Sequence, residues 1–373
     1  MTAILDFHVE KVKPAHLQVY DHVSALIDSG EYADARRLPP TSELAASLGS
    51  HVATVHRAMA MLVAEGRLER RPRHGTFVKS SIRRLTRAAI YTTREHMIEP
   101  SHRFSRALHS ALLEELEAAA VTCRPCMDPR PEFEHALPFA ALVEETRNRQ
   151  VDAVFCLTAD MKHRGWMEKL DVPVVFATMG KIANAVGFDF QQFGTASIES
   201  AARQGCRSIG LISPMVCGYS SAEEQFGDLF YAAAAKAGLR VEEAWIPRGG
   251  HDDMLADTEH AHYGYEHFMR LWNLPDRPDA LVVHPDSIAC GVIAAILARR
   301  VHVPQELKLI LHKNEEVELL CPMPATFLVS SARETAKALH ALAADRVAGK
   351  AVQPLLLPFR VCEWDGGERV FEK

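Results

Sequence analysis

No apolar run in this 373-residue chain approaches the roughly 20 residues that a membrane-spanning helix needs, so a membrane-embedded class is not expected. The opening stretch MTAILDFHVEKVKPAH lacks a basic start followed by an apolar segment and does not read as a secretory signal; the cytoplasm is the expected location. Catalytic signatures are missing as well: there is no H-E-x-x-H, no G-x-S-x-G and no Walker A loop. Eight cysteines are scattered, six of them alone within or beside apolar stretches as reduced core residues are. Cys123 and Cys126 form the one C-x-x-C, and no second ligand pair stands at a spacing that would complete a zinc site. His251, His260 and His262 lie near Asp252, Asp253 and Glu259, but they precede a predicted helix and read as a solvated loop. Neither a metal, a cofactor nor catalysis is expected.

What is present is an ordinary globular composition, 48% hydrophobic and 24% charged, on a chain long enough for a small domain and a larger one. The net charge of −6 conceals an asymmetry. Residues 1–88 carry 13 Lys/Arg against 9 Asp/Glu, a net +4, and the remainder is net −10. Positive charge is densest at 67–87, where Arg67, Arg70, Arg71, Arg73, Lys79, Arg83, Arg84 and Arg87 face a single acid, Glu69. Such a run is either a solvated face or a phosphate-contacting one.

The first eighty residues read as three helices and a hairpin. Pro14 suits the first turn of a helix, Leu17, Tyr20, Val23 and Ile27 recur at helical spacing, and Gly30 ends the run. Pro39-Pro40 precede a short helix TSELAASLG, with Thr41 or Ser42 placed to cap it. The third helix, SHVATVHRAMAMLVAEG, puts Val55, Met59, Leu62 and Val63 on one face. LERRPRHGTFV follows as a two-stranded hairpin with Pro72 to Gly75 in its turn. Two short helices around a tight turn, then a hairpin, spell a winged helix-turn-helix whose second helix enters the major groove.

The order and spacing resemble the DNA-binding domain of the GntR family. The matching residues include Leu38-Pro39, Glu43-Leu44-Ala45, Leu48-Gly49, Thr54-Val55, Ala58, Leu62, Glu65-Gly66 and Gly75-Thr76-Phe77-Val78, over about 65 residues. The resemblance implies double-stranded operator DNA as partner. It also marks departures: Ser42 stands where the family commonly has Arg, and His51-Val52 where it commonly has Ser-Arg. A guanidinium forks onto guanine O6 and N7, whereas a valine meets a thymine methyl. The residues expected at DNA are Thr41, Ser42, His51, Val52, Thr54, His56 and Arg57, together with Arg71, Arg73, His74, Gly75 and Thr76 of the wing.

Beyond a basic linker at 81–87 the pattern becomes alternating strands and helices. RAAIYT, AVTCRPCM, VDAVFCLT, VPVVFAT, RSIGLIS, DALVVH and LKLILH are the strand-like runs; RALHSALLEELEAAA, SIESAARQG, EEQFGDLFYAAAAKAG and SIACGVIAAILARR are helical. Repeated βα units imply parallel sheets with helices on both faces, and nearly 290 residues suggest two lobes with a ligand beyond the strand ends. The segments from VDAVFCLTAD to VPQELKLI resemble the effector domain of the LacI/GalR family, whose fold is shared with periplasmic binding proteins. The whole is similar in architecture to the arabinose-repressor type.

The expected fold class is therefore α/β: an N-terminal winged helix-turn-helix at 1–80 and a two-lobed periplasmic-binding-protein-like domain with parallel sheets at 88–373. Lobe one is expected at about 88–187 and 313–345, lobe two at about 188–312 and 346–373. The resemblance implies that Asp286 hydrogen-bonds effector hydroxyls, a carboxylate accepting from two at once; it also stands where it would cap the helix after it. Asp189 is a weaker candidate near a crossover. Phe226 occupies the place of an Arg found in sugar-binding members, Ser330 or Ser331 that of a Gln, and Phe104 and Arg94 follow the first strand with stacking and charge to offer. A sugar or related polyol, a homodimer and an effector-responsive repressor of a carbohydrate-related operon are the functional expectations, with a degenerate, non-binding sensor as the alternative.

Overall fold

The computed structural model describes residues 14–28, 37–78, 84–98, 103–157, 161–178, 182–213, 230–247 and 260–366. The chain forms two compact units, 1–83 and 84–373. In the first, α1 (Ala15–Asp28) starts directly after Pro14, whose carbonyl accepts from the Leu17 and Gln18 amides. Gly30, expected to stop this helix, lies outside the described residues. α2 (Thr41–Ser47) makes no side-chain cap: Pro40 holds the capping position and Thr41 is already helical, so neither Thr41 nor Ser42 plays the expected part. α3 (Val52–Ala64) turns Val55, Ala58, Met59 and Leu62 inward, and they close over Val19, Val23 and Ile27 of α1. Spacings of three and four keep these side chains on one stripe.

The hairpin pairs β1 (Leu68–Arg71) with β2 (Gly75–Val78) antiparallel, Leu68 opposite Val78 and Arg71 opposite Gly75. Its turn is residues 72–74, because Gly75 is already in the ladder. Only glycine fits there: φ is +112°, and a Cβ would meet Arg37 Nε at 2.8 Å. Arg37 bridges to Phe77 and the Leu38 amide donates to the Thr76 carbonyl, which ties the chain before α2 to the wing.

The second unit is built on two sheets. The first has the order β12-β7-β6-β5-β3-β4, comprising β3 (Arg87–Thr93), β4 (Thr122–Asp128), β5 (Ala153–Cys156), β6 (Val174–Ala177), β7 (Ala185–Phe188) and β12 (Leu355–Leu357). Its pairings are all parallel. The helices after these strands are α4 (Arg94–Ile98), α5 (Arg103–Ala118), α6 (Ala140–Arg147) and α7 (Met161–Met167). The second sheet runs β13-β11-β10-β9-β8, comprising β8 (Ile209–Ile212), β9 (Ala280–Val283), β10 (Lys308–Asn314), β11 (Ala325–Ser330) and β13 (Arg360–Trp364). It is parallel except at its edge, where β13 runs antiparallel to β11. Its helices are α8 (Phe190–Arg203), the helical residues 230–236, α9 (His260–Trp272) and α10 (Asp286–Arg299); α11 (Ala332–Val347) packs instead with α5 against the first sheet. Each sheet has an apolar core on both faces. That is why its strands read as continuous β-branched runs rather than alternating ones.

The inner boundaries expected for the lobes need correction. Residues 313–330 belong to the second sheet, since β10 and β11 pair in register from Ile310 opposite Thr326. The crossing back to the first sheet therefore falls at Ser331, and the helix α11 crosses rather than a strand. β12 also returns to the first sheet, on β7, before β13 joins the second. The chain thus crosses between sheets at 188–190, 330–332 and 357–360, each time leaving from the carboxyl end of a strand. Those ends face the junction.

α9 and α10 cross very closely. A Cβ on Gly291 would stand 1.7 Å from the Ala261 carbonyl oxygen, and one on Gly264 would stand 2.2 Å from that of Ile288. The first residue of α10 is Asp286, so this crossing helps set where that carboxylate begins its helix.

Candidate DNA-reading face and effector site

The outer side of α3 presents His51, Val52, Ala53, His56, Arg57 and Ala60 to solvent, with Thr54 half-buried. His51 is the N-cap and makes no side-chain cap bond. Arg70 Nη1 stands 3.4 Å from His56 Nε2, which ties the first strand of the wing to the exposed face of α3. In the wing, Arg71 pairs with Glu69 at 3.1 Å and lies over the Phe77 ring at 4.6 Å. Arg73 and His74 are exposed at the tip, Arg73 with φ +64°, while Gly75 and Thr76 are half-buried in the ladder. Thr41 is half-buried and Ser42 exposed on α2.

The basic run is not a uniform phosphate strip. Arg67 is spent on Ser24, donating to its Oγ at 2.7 Å and its carbonyl at 3.3 Å, which fastens α1 to the foot of the wing. Arg87 binds Asp152 at 2.9 Å within the second unit. Lys79 and Arg83 lie outside the described residues. Charge density in the sequence did not separate internal ties such as Arg67 and Arg87 from surface cations such as Arg73.

In the second unit a polar cluster gathers at the carboxyl ends of β9, β10 and β11. Asp286, 8% exposed, opens α10 without capping it. Its Oδ1 accepts from the Ser287 amide at 3.0 Å, and its Oδ2 accepts from Asn314 Nδ2 at 3.0 Å. Ser330 Oγ donates to Asn314 Oδ1 at 2.6 Å and stands 3.0 Å from His312 Nε2. His312 Nδ1 accepts from the Asp286 amide at 3.2 Å, which fixes the proton on Nε2 and closes a hydrogen-bonded ring. Burial pushes His312 down to about 4, against the pull of the Asp286 carboxylate. His284, whose ring centre is 4.8 Å from that of His312, is also driven well below its usual value, by burial, His312 and His260 in that order. Both imidazoles are neutral near pH 7.

Sequence reasoning singled out Asp286 and Ser330 but missed Asn314 and His312, which join them. Asn314 ends a strand and is buried with its amide facing a carboxylate; a polar residue closing a strand pattern was the available signal. Asp189 caps α8, accepting from the Gln192 amide at 3.0 Å, and its own amide donates to Leu357 across two crossovers. Phe104 is engaged edge-on with Phe188 at 5.5 Å, in an aromatic cluster that continues through Phe359 to Phe190 and Phe193. Arg94 is exposed at the start of α4. Phe226 lies outside the described residues, as do His251, Asp252, Asp253 and Glu259. The structure brings together Asp286 and Ser330; it does not bring Asp189, Phe104 or Arg94 into their ring.

A cavity of about 190 Å³ lies elsewhere, between α8 (Phe190, Gln191, Gly194, Thr195) and residues Phe230, Ala233 and Lys236. Among the described residues, its lining includes none of the expected effector residues. Among the described residues no group of three His, Cys, Asp or Glu is placed to hold a metal, and no helix is long and apolar enough to cross a membrane. Cys123 and Cys126 are unbonded on β4, their thiols pushed up by burial to about 11 and about 12.

Residues 15–78 match the model of the bacterial regulatory proteins of the gntR family, and residues 198–363 match a periplasmic binding protein-like domain. Catabolite control protein A of Priestia megaterium is 25% identical over 198 residues, which are 50% of this chain and 55% of that protein. The chain thus spans about half the length of that relative. A LacI-family regulatory protein from Chloroflexus aggregans shares the fold with a TM-score of 0.58 at 19% identity, over 74% of this chain and 96% of that one. A LacI-family transcriptional regulator from Weissella paramesenteroides, solved with bound sucrose, matches with a TM-score of 0.57 at 17% identity, over 76% of this chain and 99% of that one. The chain joins a gntR-family winged helix-turn-helix to a periplasmic binding protein-like domain with the fold of LacI-family regulators.

Proposed function

We propose that this chain is an effector-responsive DNA-binding transcription regulator, a cytoplasmic repressor of a carbohydrate-related operon that works as a homodimer. The observation that carries the reading is the exposed face of α3 beside a basic wing, on a domain matched by the gntR-family model. A two-fold pair of readers suits two half-sites on DNA. The reader occupies roughly the first 80 residues and the sensor residues from 88 onward. The sensor would hold a sugar or related polyol beside Asp286, Asn314 and Ser330, in keeping with the sucrose bound by the Weissella relative. The effector acts by preferring one arrangement of the two sheets over the other, and it shifts DNA affinity only by that preference. No catalytic step is assigned to any residue.

The wing supplies the test. Affinity for a DNA duplex selected with the full chain, measured across salt concentrations, is expected to fall for Arg73→Ala with a salt slope smaller by about 1. Unchanged affinity and slope would remove Arg73 from the contact surface. Light scattering that finds only monomer, with and without that duplex, would overturn the dimer.

A second reading, a sensor that no longer takes a ligand, is favoured by one observation: the Asp286 ring is satisfied within the protein. A thermal-shift screen against sugars, polyols, nucleosides and sugar acids separates the two. A reproducible shift that Asp286→Ala abolishes supports the working sensor; no shift with any of these classes supports the degenerate one.

A further inference from the structure

The first turn of α3 has a chemistry that the fold itself does not use. The core of the reader closes over Val55, Ala58, Met59 and Leu62 on the opposite face of the helix. Val52 keeps 52% of its surface in solvent, and among the described residues of the first unit it is the one large aliphatic or aromatic side chain so exposed. Ala53, also exposed, extends the apolar spot by a methyl. His56, four residues on and so on the same face of the helix, carries Arg70 beside it, and Arg57 and Arg73 are further exposed cations of α3 and the wing. The acid of this hairpin, Glu69, is taken up by Arg71.

A small apolar centre with a basic rim is complementary to one surface in particular. The rim suits phosphates, and the single base-edge group in the major groove that rewards apolar contact is the 5-methyl of thymine. The patch is too small to serve a protein partner, for which a buried core of many side chains is usual. We infer that Val52 is a specificity-determining residue that selects thymine in the operator half-site through its 5-methyl group. The inference rests on the reading of α3 as the helix that enters the groove.

The experiment begins with selection from a random-sequence duplex library by the full chain. The enriched duplex is then compared with versions in which single thymines of one half-site are replaced by deoxyuridine, which removes the methyl and nothing else. One such position is expected to weaken binding about four-fold, the worth of one buried methyl-sized group. Val52→Ala, an exposed change that leaves the core alone, is expected to bind the thymine and deoxyuridine duplexes equally. If no thymine position is sensitive, or if Val52→Ala keeps the same discrimination, Val52 does not read a methyl. If no duplex is enriched at all, the DNA-binding reading fails and takes this inference with it.

Discussion

Acid should weaken the second unit through His312, and the size of the effect follows from its surroundings. In the fold this imidazole is 5% exposed, its Nδ1 accepts from the Asp286 amide and its Nε2 faces Ser330. A proton on Nδ1 would meet a donor, so protonation must break the ring as well as place a charge in a dry site. The folded-state pKa is about 4, against 6.5 for the free side chain. Between those values the unfolded chain binds a proton that the folded chain refuses. Stability is therefore intact above pH 6.5, falls as the pH drops, and stops falling below about 4. At about 1.36 kcal/mol per pH unit, the window is worth about 3 kcal/mol. His284 adds to the loss in the same direction.

All four tryptophans, Trp166, Trp245, Trp272 and Trp364, lie in the second unit, so urea unfolding followed by their fluorescence reports on it without the reader. The full chain and a His312→Gln variant would be compared at pH 7, 6, 5 and 4. The variant is expected to start less stable and to lose about 3 kcal/mol less than the parent across the window. Asp152 and Glu316 are held below their usual values by hydrogen bonds that outweigh burial; their contributions are lost only toward the acid end and cancel between the two proteins. If the variant loses as much stability as the parent, or if the ¹³C resonance of His312 titrates near 6.5, the buried neutral imidazole is wrong.

Two further outcomes follow from packing and capping. Gly291→Ala puts a methyl 1.7 Å from a backbone carbonyl that cannot rotate away, so α9 and α10 must part. A loss of about 3 kcal/mol in the same unfolding assay is expected, and a loss under about 1 kcal/mol would deny the close crossing. Glu316 accepts from Ser331 Oγ at 2.7 Å and from the Ala332 and Arg333 amides at 2.8 and 3.0 Å, a charged cap on α11 supplied from the loop after β10. Glu316→Gln should cost about 1 kcal/mol and speed hydrogen exchange at those two amides; unchanged exchange would show that the cap does not hold the helix.

Elements set by local rules were legible in the sequence. Helical spacing of Val55, Met59 and Leu62 is enough to define α3, because a stripe at three and four residues has one way to be buried. The hairpin followed from LERRPRHGTFV, although its turn is one residue tighter, since Gly75 pairs with Arg71 and so belongs to the ladder, which only the register of the two strands decides. The lobe boundaries were less legible. Residues 325–330 are a buried apolar run that suits either sheet, and only the register with β10 assigns them. The same holds for Leu355–Leu357, three residues that carry no pattern of their own.

The sequence by itself determined that there is a reader followed by a parallel α/β unit, and it picked out Asp286, Ser330 and an apolar residue at the head of the recognition helix. Periodicity and turn chemistry act between near neighbours and survive in a linear text. Tertiary structure alone decided that Asp286 meets Asn314, that His312 is neutral and ties the ring shut, that Arg67 is internal while Arg73 faces solvent, and that Val52 is left bare. Each of these depends on atoms from strands or helices far apart in the chain. Burial and hydrogen-bond partnership are properties of that assembly, not of any one residue in it.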